Sequence, residues 1–108
     1  MQKIITIVCG ALLMGAVASA GAAGNAAAGK EKAKACATCH GVDGNSASAD
    51  FPKLAGQNAD YIVKSLQGYK ASTRKNPIMA PMAANLSQRD MDDLAAYFSQ
   101  QQGLSTFK

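Results

Sequence analysis

The sequence predicts an all-α domain of three main helices joined by loops. Three observations point there. Apolar residues recur at helical spacing in two stretches, Ile62, Leu66 and Tyr69, then Met91, Leu94, Ala95 and Phe98. A residue able to cap a helix stands ahead of each of three helix-forming runs: Asn25, Asn58 and Ser87. Beyond residue 23 no stretch alternates apolar and polar residues as a half-buried strand would.

Residues 1–22 read as a leader rather than as part of the fold. Lys3 is the only early charge, and an apolar run follows from Ile4 to Val17. Small residues then take over through Ala18, Ser19, Ala20, Gly21 and Ala22. That order is the one of a cleavable secretory signal peptide. The apolar run falls short of the ~20 residues a spanning helix needs. Two small-x-small sites compete, Ala18-Ser19-Ala20 and Ala20-Gly21-Ala22. The second is preferred, so the domain is expected to cover 23–108 and to start at Ala23, without Cys9 and without a membrane span.

From Asn25 the first helix is expected to run through Ala26, Ala27 and Ala28 to about Thr38, good helix formers apart from Gly29. Lys30, Lys32 and Lys34 mark its wet side. A domain this small buries a modest core, and domains of this class usually carry a staple. Two cysteines remain after the leader, Cys36 and Cys39, and a disulfide between them would close a tiny loop and constrain little. They are therefore expected to hold something else.

Cys36-Ala37-Thr38-Cys39-His40 is C-x-x-C-H, the attachment signal for c-type haem. Two thiols add to the two vinyl groups of the porphyrin and become thioethers. The two-residue spacer matches the separation of those vinyls. His40 then falls beneath the iron as an axial ligand. A thioredoxin-like C-x-x-C would need a βαβ setting that is absent here. Structural zinc wants four ligands, and the domain offers two cysteines and its single histidine. One motif implies one haem, and one histidine excludes internal bis-His ligation.

From His40 to Gln57 glycines and a proline interrupt every period, so a long loop is expected, supported by the haem. Asn58 opens a second helix to about Lys70, in which Tyr61 and Tyr69 either hydrogen-bond the haem region or, the commoner fate and the one expected, pack in the core. The segment Asn76-Pro77-Ile78-Met79-Ala80-Pro81-Met82-Ala83-Ala84-Asn85 is expected to be irregular and stiff because of its two prolines. Such a loop can hold a thioether at low entropic cost, and Met79 and Met82 both remain candidates for the second axial position. Ser87 with Asp90 resembles a capping box opening the last helix, to about Gln101. Its Met91 belongs to the apolar face, so it reads as core. Asp90, Asp92 and Asp93 favour the positive end of that helix and do not read as a catalytic or metal cluster.

In this order the segments resemble a class I c-type cytochrome of the short bacterial monohaem type, similar to one half of a dihaem periplasmic cytochrome c. The resemblance runs through Gly24 to Gly29, Cys36 to Gly41, Asp43-Gly44-Asn45, Phe51-Pro52-Lys53-Leu54-Ala55-Gly56-Gln57 and Pro81 to Ser87. It implies the cytochrome c fold, helices and loops wrapped round one covalent haem, with the first and last helices crossing. It implies Met79 as the ligand, seven residues before the Leu86 of the Leu-Ser pair. It also implies that the Pro52 carbonyl accepts a hydrogen bond from the His40 Nδ1, and that Leu54 packs on the haem face. Arg74 and Gln57 are the candidates to meet the haem propionates.

Function follows from these parts. Two protein ligands on one iron leave no site for a substrate, so an exported, periplasmic single-electron carrier is expected rather than an enzyme. Its partners would be redox proteins met transiently, and the carrier itself a monomer. The formal charge of the whole chain is +4. Lys30, Lys53 and Lys75 are candidates to steer acidic partners. The charges are dispersed and carry no nucleic-acid motif. The rivals are a small subunit of a larger respiratory oxidoreductase and an open-site haem peroxidase or gas-binding protein.

Overall fold

The computed structural model describes residues 24–104, together with Gly10. The leader expected at 1–22, Gly10 apart, and the start at Ala23 lie outside the described residues. The described residues form α1 (Ala26–Lys32), a 3-10 turn (Ala33–Ala35), α2 (Ala37–His40), α3 (Ala59–Ala71), α4 (Met79–Ala84) and α5 (Gln88–Ser99), and no strand. None of these helices is long and apolar enough to cross a membrane.

Local chemistry sets most of the helix starts. The Asn25 side chain accepts the Ala28 N–H at 2.9 Å. Ser87 Oγ accepts from the Asp90 N–H at 3.0 Å, and Asp90 Oδ2 accepts from the Ser87 N–H at 2.9 Å, a complete capping box. Asn58 takes the cap position of α3 but makes no capping bond with its side chain.

The core forms where α5 meets α1 and α3. Ala33, Ile62, Leu94, Ala95, Tyr97 and Phe98 are buried together, with Cys36, Leu54, Val63 and Leu66 packed against them. Met91 is also buried, as its place on the apolar face implies. The crossing of α1 over α5 is closer than ordinary side chains permit. A Cβ on Gly29 would lie 1.9 Å from the Asp93 carbonyl oxygen, so the two backbones meet through a glycine.

Three expectations need correction. The first helix is not continuous to Thr38: it tightens into the 3-10 turn at Ala33–Ala35 before a fresh helical turn at Ala37. The Ala-Lys-Ala run carries no local signal for this break, which falls where Ala33 is buried in the core. Lys32 is not on the wet side: its Nζ lies 2.7 Å from Asp93 Oδ2 and 2.9 Å from Asp90 Oδ1. Asp93 does more than complement a helix dipole. It is only 1% exposed, and Oδ1 accepts the Asn25 N–H at 2.8 Å, so it ties the start of α1 to α5.

These bonds predict an acid limb. The Lys32 ammonium, then Ser87, hold the Asp90 carboxyl down to about 2. Lys32, then the Asn25 N–H, hold Asp93 below the usual carboxylate range. A group depressed in the folded chain stabilises it fully above its unfolded value of about 3.9 and loses that contribution as pH falls towards the folded value. The thermal midpoint is therefore expected to hold steady from about pH 7 to about pH 5 and to fall between about pH 4 and about pH 2. Asp90→Asn should flatten part of that fall, read by thermal melts across the same range.

Candidate functional site

The attachment motif occupies a single helical turn. Cys36 caps α2, Cys39 and His40 lie within it, and the His40 N–H bonds the Cys36 carbonyl at 2.9 Å. Residues three apart on a helix share a face, so both sulfurs are delivered to one side. Both cysteines are half-buried free thiols. Burial, and secondarily Cys39 beside it, pushes the Cys36 thiol up.

His40 is buried, and its Nδ1 is 2.8 Å from the Pro52 carbonyl oxygen. A carbonyl can only accept, so Nδ1 carries the hydrogen and Nε2 is left with its lone pair. Phe51 meets the imidazole edge-on at 6.4 Å between ring centres. A long loop with no regular element must hold Pro52 in that place, and the chain itself supplies much of the support expected from the haem. Leu54 and Ala55 N–H both bond the Gly44 carbonyl, at 2.8 and 3.1 Å. Gly44 sits at φ 87°, and a Cβ there would lie 2.7 Å from Ala55 N and 2.8 Å from the Phe98 ring, so only glycine fits. Gly56 N–H bonds the Phe98 carbonyl at 2.9 Å, and Tyr97 Oη donates to the Val42 carbonyl at 2.8 Å. The loop is thus sewn to α5 on both sides of the proline.

Met79 stands in α4, where sequence reasoning expects an irregular segment. The prolines do not prevent the helix. Asn76 Oδ1 accepts from the Ile78 and Met79 N–H groups at 2.9 Å each, and the Asn76 carbonyl accepts from Ala80 at 3.0 Å. Asn76 is therefore the working cap and Pro77 takes the first helical position, where a missing N–H costs nothing. Pro81 falls early enough to forfeit one bond at most. The Asn-Pro pair is the signal in the sequence that reveals this helix. Met79 is half-buried, whereas Met82 is 45% exposed. Leu54 is half-buried against the core cluster, and Pro52, Lys30, Lys53 and Lys75 are exposed.

Tyr61 and Tyr69 do not serve as core. Tyr61 is 49% exposed, and the Arg74 guanidinium lies over both rings, 5.7 Å from the centre of Tyr61 and 5.0 Å from that of Tyr69. Arg74 Nη1 donates to Tyr61 Oη and to Ser65 Oγ, both at 3.1 Å. Sequence reasoning misses this cluster because its partners pair across a turn.

These residues fit a covalent haem. Two free thiols share one side of a helical turn, and the histidine next to them has one nitrogen committed to the protein and the other available for iron.

Known proteins agree with that fit. The sequence profile described as cytochrome c matches residues 26–102. The chain is 48% identical over 99 residues to cytochrome c4 of Azotobacter vinelandii, covering 83% of this chain and 47% of that one. It is 43% identical to cytochrome c-554(548) of Halomonas halodenitrificans, covering 74% of this chain and 100% of that one. The crystal structure of reduced recombinant cytochrome c4 from Pseudomonas stutzeri superposes with a TM-score of 0.72 at 47% identity, over 76% of this chain and 48% of that one. The chain thus spans about half the length of the cytochrome c4 relatives it matches. Motif, fold and relatives converge: the chain belongs to the cytochrome c family, whose members carry covalent haem c, and adopts the cytochrome c fold.

Proposed function

We propose that this chain is a periplasmic single-electron carrier whose haem iron is held between His40 and Met79. The observation that carries the reading is the His40 Nδ1 bond to the Pro52 carbonyl, 2.8 Å long, on the same turn as Cys36 and Cys39. When bound, the haem supplies a one-electron centre. The protein supplies everything else. Cys36 and Cys39 anchor the group so that it cannot dissociate between encounters. Pro52 fixes the imidazole plane and strengthens Nε2 as a donor. Met79, seated in a capped helix, offers its thioether, which favours the reduced state relative to a harder ligand. Leu54, half-buried against the core cluster, packs on the haem face and helps exclude water. With His40 and Met79 both holding the iron, no place would be left for a substrate, and so the chain acts as a carrier and not as an enzyme.

Residues 1–22 direct export and are removed, and the carrier works as a monomer on transient redox partners. Lys30, Lys53 and Lys75 are exposed and give the surface a positive bias towards acidic partners. Interfaces of this kind are small, below ~1,200 Å² of total buried area.

A methionine pair tests the ligand. In haem-loaded Met82→Leu, the long-wavelength thioether-to-iron charge-transfer band of the oxidised protein is expected to survive. In Met79→Leu it should vanish, and the midpoint potential should fall by on the order of 100 mV. A band that survives in Met79→Leu and disappears in Met82→Leu would reverse the assignment.

A further inference from the structure

The segment between α3 and α4 has almost no apolar burial to hold it. Residues 71–75, 77 and 78 are exposed, and Asn76 is half-buried. Yet this segment delivers Met79. Its path begins at Ser72, which takes a left-handed conformation at φ 60°. The Thr73 and Arg74 N–H groups then both bond the Gly68 carbonyl, at 3.0 and 3.1 Å. The chain doubles back along α3, and Arg74 reaches Tyr61, Ser65 and Tyr69. Those three stand four residues apart, on one helix face. A Cβ on Gly68 would lie 3.0 Å from Arg74 Cβ, so a glycine leaves the room this return path needs. Two residues after Arg74 comes Asn76, whose side chain holds the Met79 N–H. On the far side of α4, Lys70 Nζ donates to the Leu86 carbonyl. The short helix is thus tethered to α3 at both ends.

We infer that Arg74 is a positioning residue for the axial methionine: its guanidinium, clamped on Tyr61, Ser65 and Tyr69, straps the Met79 segment to α3. The inference rests on Met79 being the ligand. The arrangement suits arginine and not lysine, because the planar fork lies over the Tyr61 and Tyr69 rings while it donates to two hydroxyl oxygens. The same guanidinium holds the Tyr61 phenol below its ordinary value. With Nη1 spent on α3, Arg74 acts on the iron site through the backbone that leads to Met79.

The test uses the oxidised, haem-loaded protein and free imidazole, which binds iron only after the thioether leaves. The apparent imidazole affinity therefore reports how readily the Met79 segment opens. Arg74→Ala is expected to raise it about tenfold, the effect of removing two exposed cation–π interactions together. Arg74→Lys should reproduce most of that rise, which a role in charge alone would not. Tyr69→Leu, which removes one ring and keeps the arginine, should give about threefold. Asp90→Asn serves as the stability control: it should lower the thermal midpoint and leave imidazole affinity within about twofold. An unchanged affinity in both Arg74→Ala and Tyr69→Leu overturns the strap. The same holds if Arg74→Ala fails to mature and Tyr69→Leu is unchanged. A wild-type protein without the thioether band overturns the ligand assignment and the strap with it. A wild-type band with unresponsive Arg74 variants overturns the strap alone.

Discussion

Replacing Cys36 and Cys39 together by alanine is expected to strip the pigment from the polypeptide and to leave the chain without cooperative structure. The first half of that result is covalent chemistry. With no thiol on the turn Ala37–His40 nothing can form a thioether, so haem, even if captured by His40, washes away under denaturing conditions. The second half is a matter of core size. The buried cluster comprises Ala33, Ile62, Leu94, Ala95, Tyr97 and Phe98, two of them alanines. A domain of under about 100 residues gains little net stability from such a core and leans on a staple. Circular dichroism at about 25 °C and a gel stained for haem read both halves. The haem-free variant should lose its sharp thermal transition. A variant that melts as cooperatively as the wild type would show that the protein core suffices alone.

A second large effect is expected at a residue with no chemistry. Gly29→Ala should cost about 3 kcal/mol or more, because the added carbon falls 1.9 Å from the Asp93 carbonyl oxygen and 2.8 Å from Tyr97 Cβ. Helix propensity points the other way: alanine is better than glycine in a helix by about 1 kcal/mol. The clash wins because its partner is backbone and cannot rotate aside. To accept the methyl group, α1 must lift from α5. That movement also strains the bonds from the Asn25 N–H and Lys32 to Asp93, 2.8 and 2.7 Å long. Denaturant unfolding of the haem-loaded protein measures the difference. A gain in stability would mean that propensity governs this position and that the crossing is looser than the geometry shows.

Gly29 shows where sequence reasoning reaches its limit. Along the chain it looks like a lapse in an alanine-rich helix. In the fold it is the point where two backbones touch, and the opposing strand of chain is remote in sequence: Asn25 and Asp93, bonded at the same crossing, stand 68 positions apart. Asp93 is similar. Beside Asp90 and Asp92 it reads as one of three dipole-matched carboxylates, and the crossing of α1 makes it a buried partner for Lys32. The α4 helix is hidden for a different reason. Its signals are local, but two prolines read as breakers unless the Asn76-Pro77 pair is read as a cap.

The haem attachment turn, the all-helical class, the Asn25 and Ser87 caps and the buried face of α5 can all be read along the chain. Each depends on residues within one or two turns of one another, and fixed spacing carries that information. The break at Ala33, the glycine crossing of α1 with α5, the burial of Asp93 and the clamp of Arg74 on Tyr61 and Tyr69 come from the folded molecule. Those depend on which distant surfaces meet, and spacing along a chain does not record how closely two helices approach or where a turn folds back.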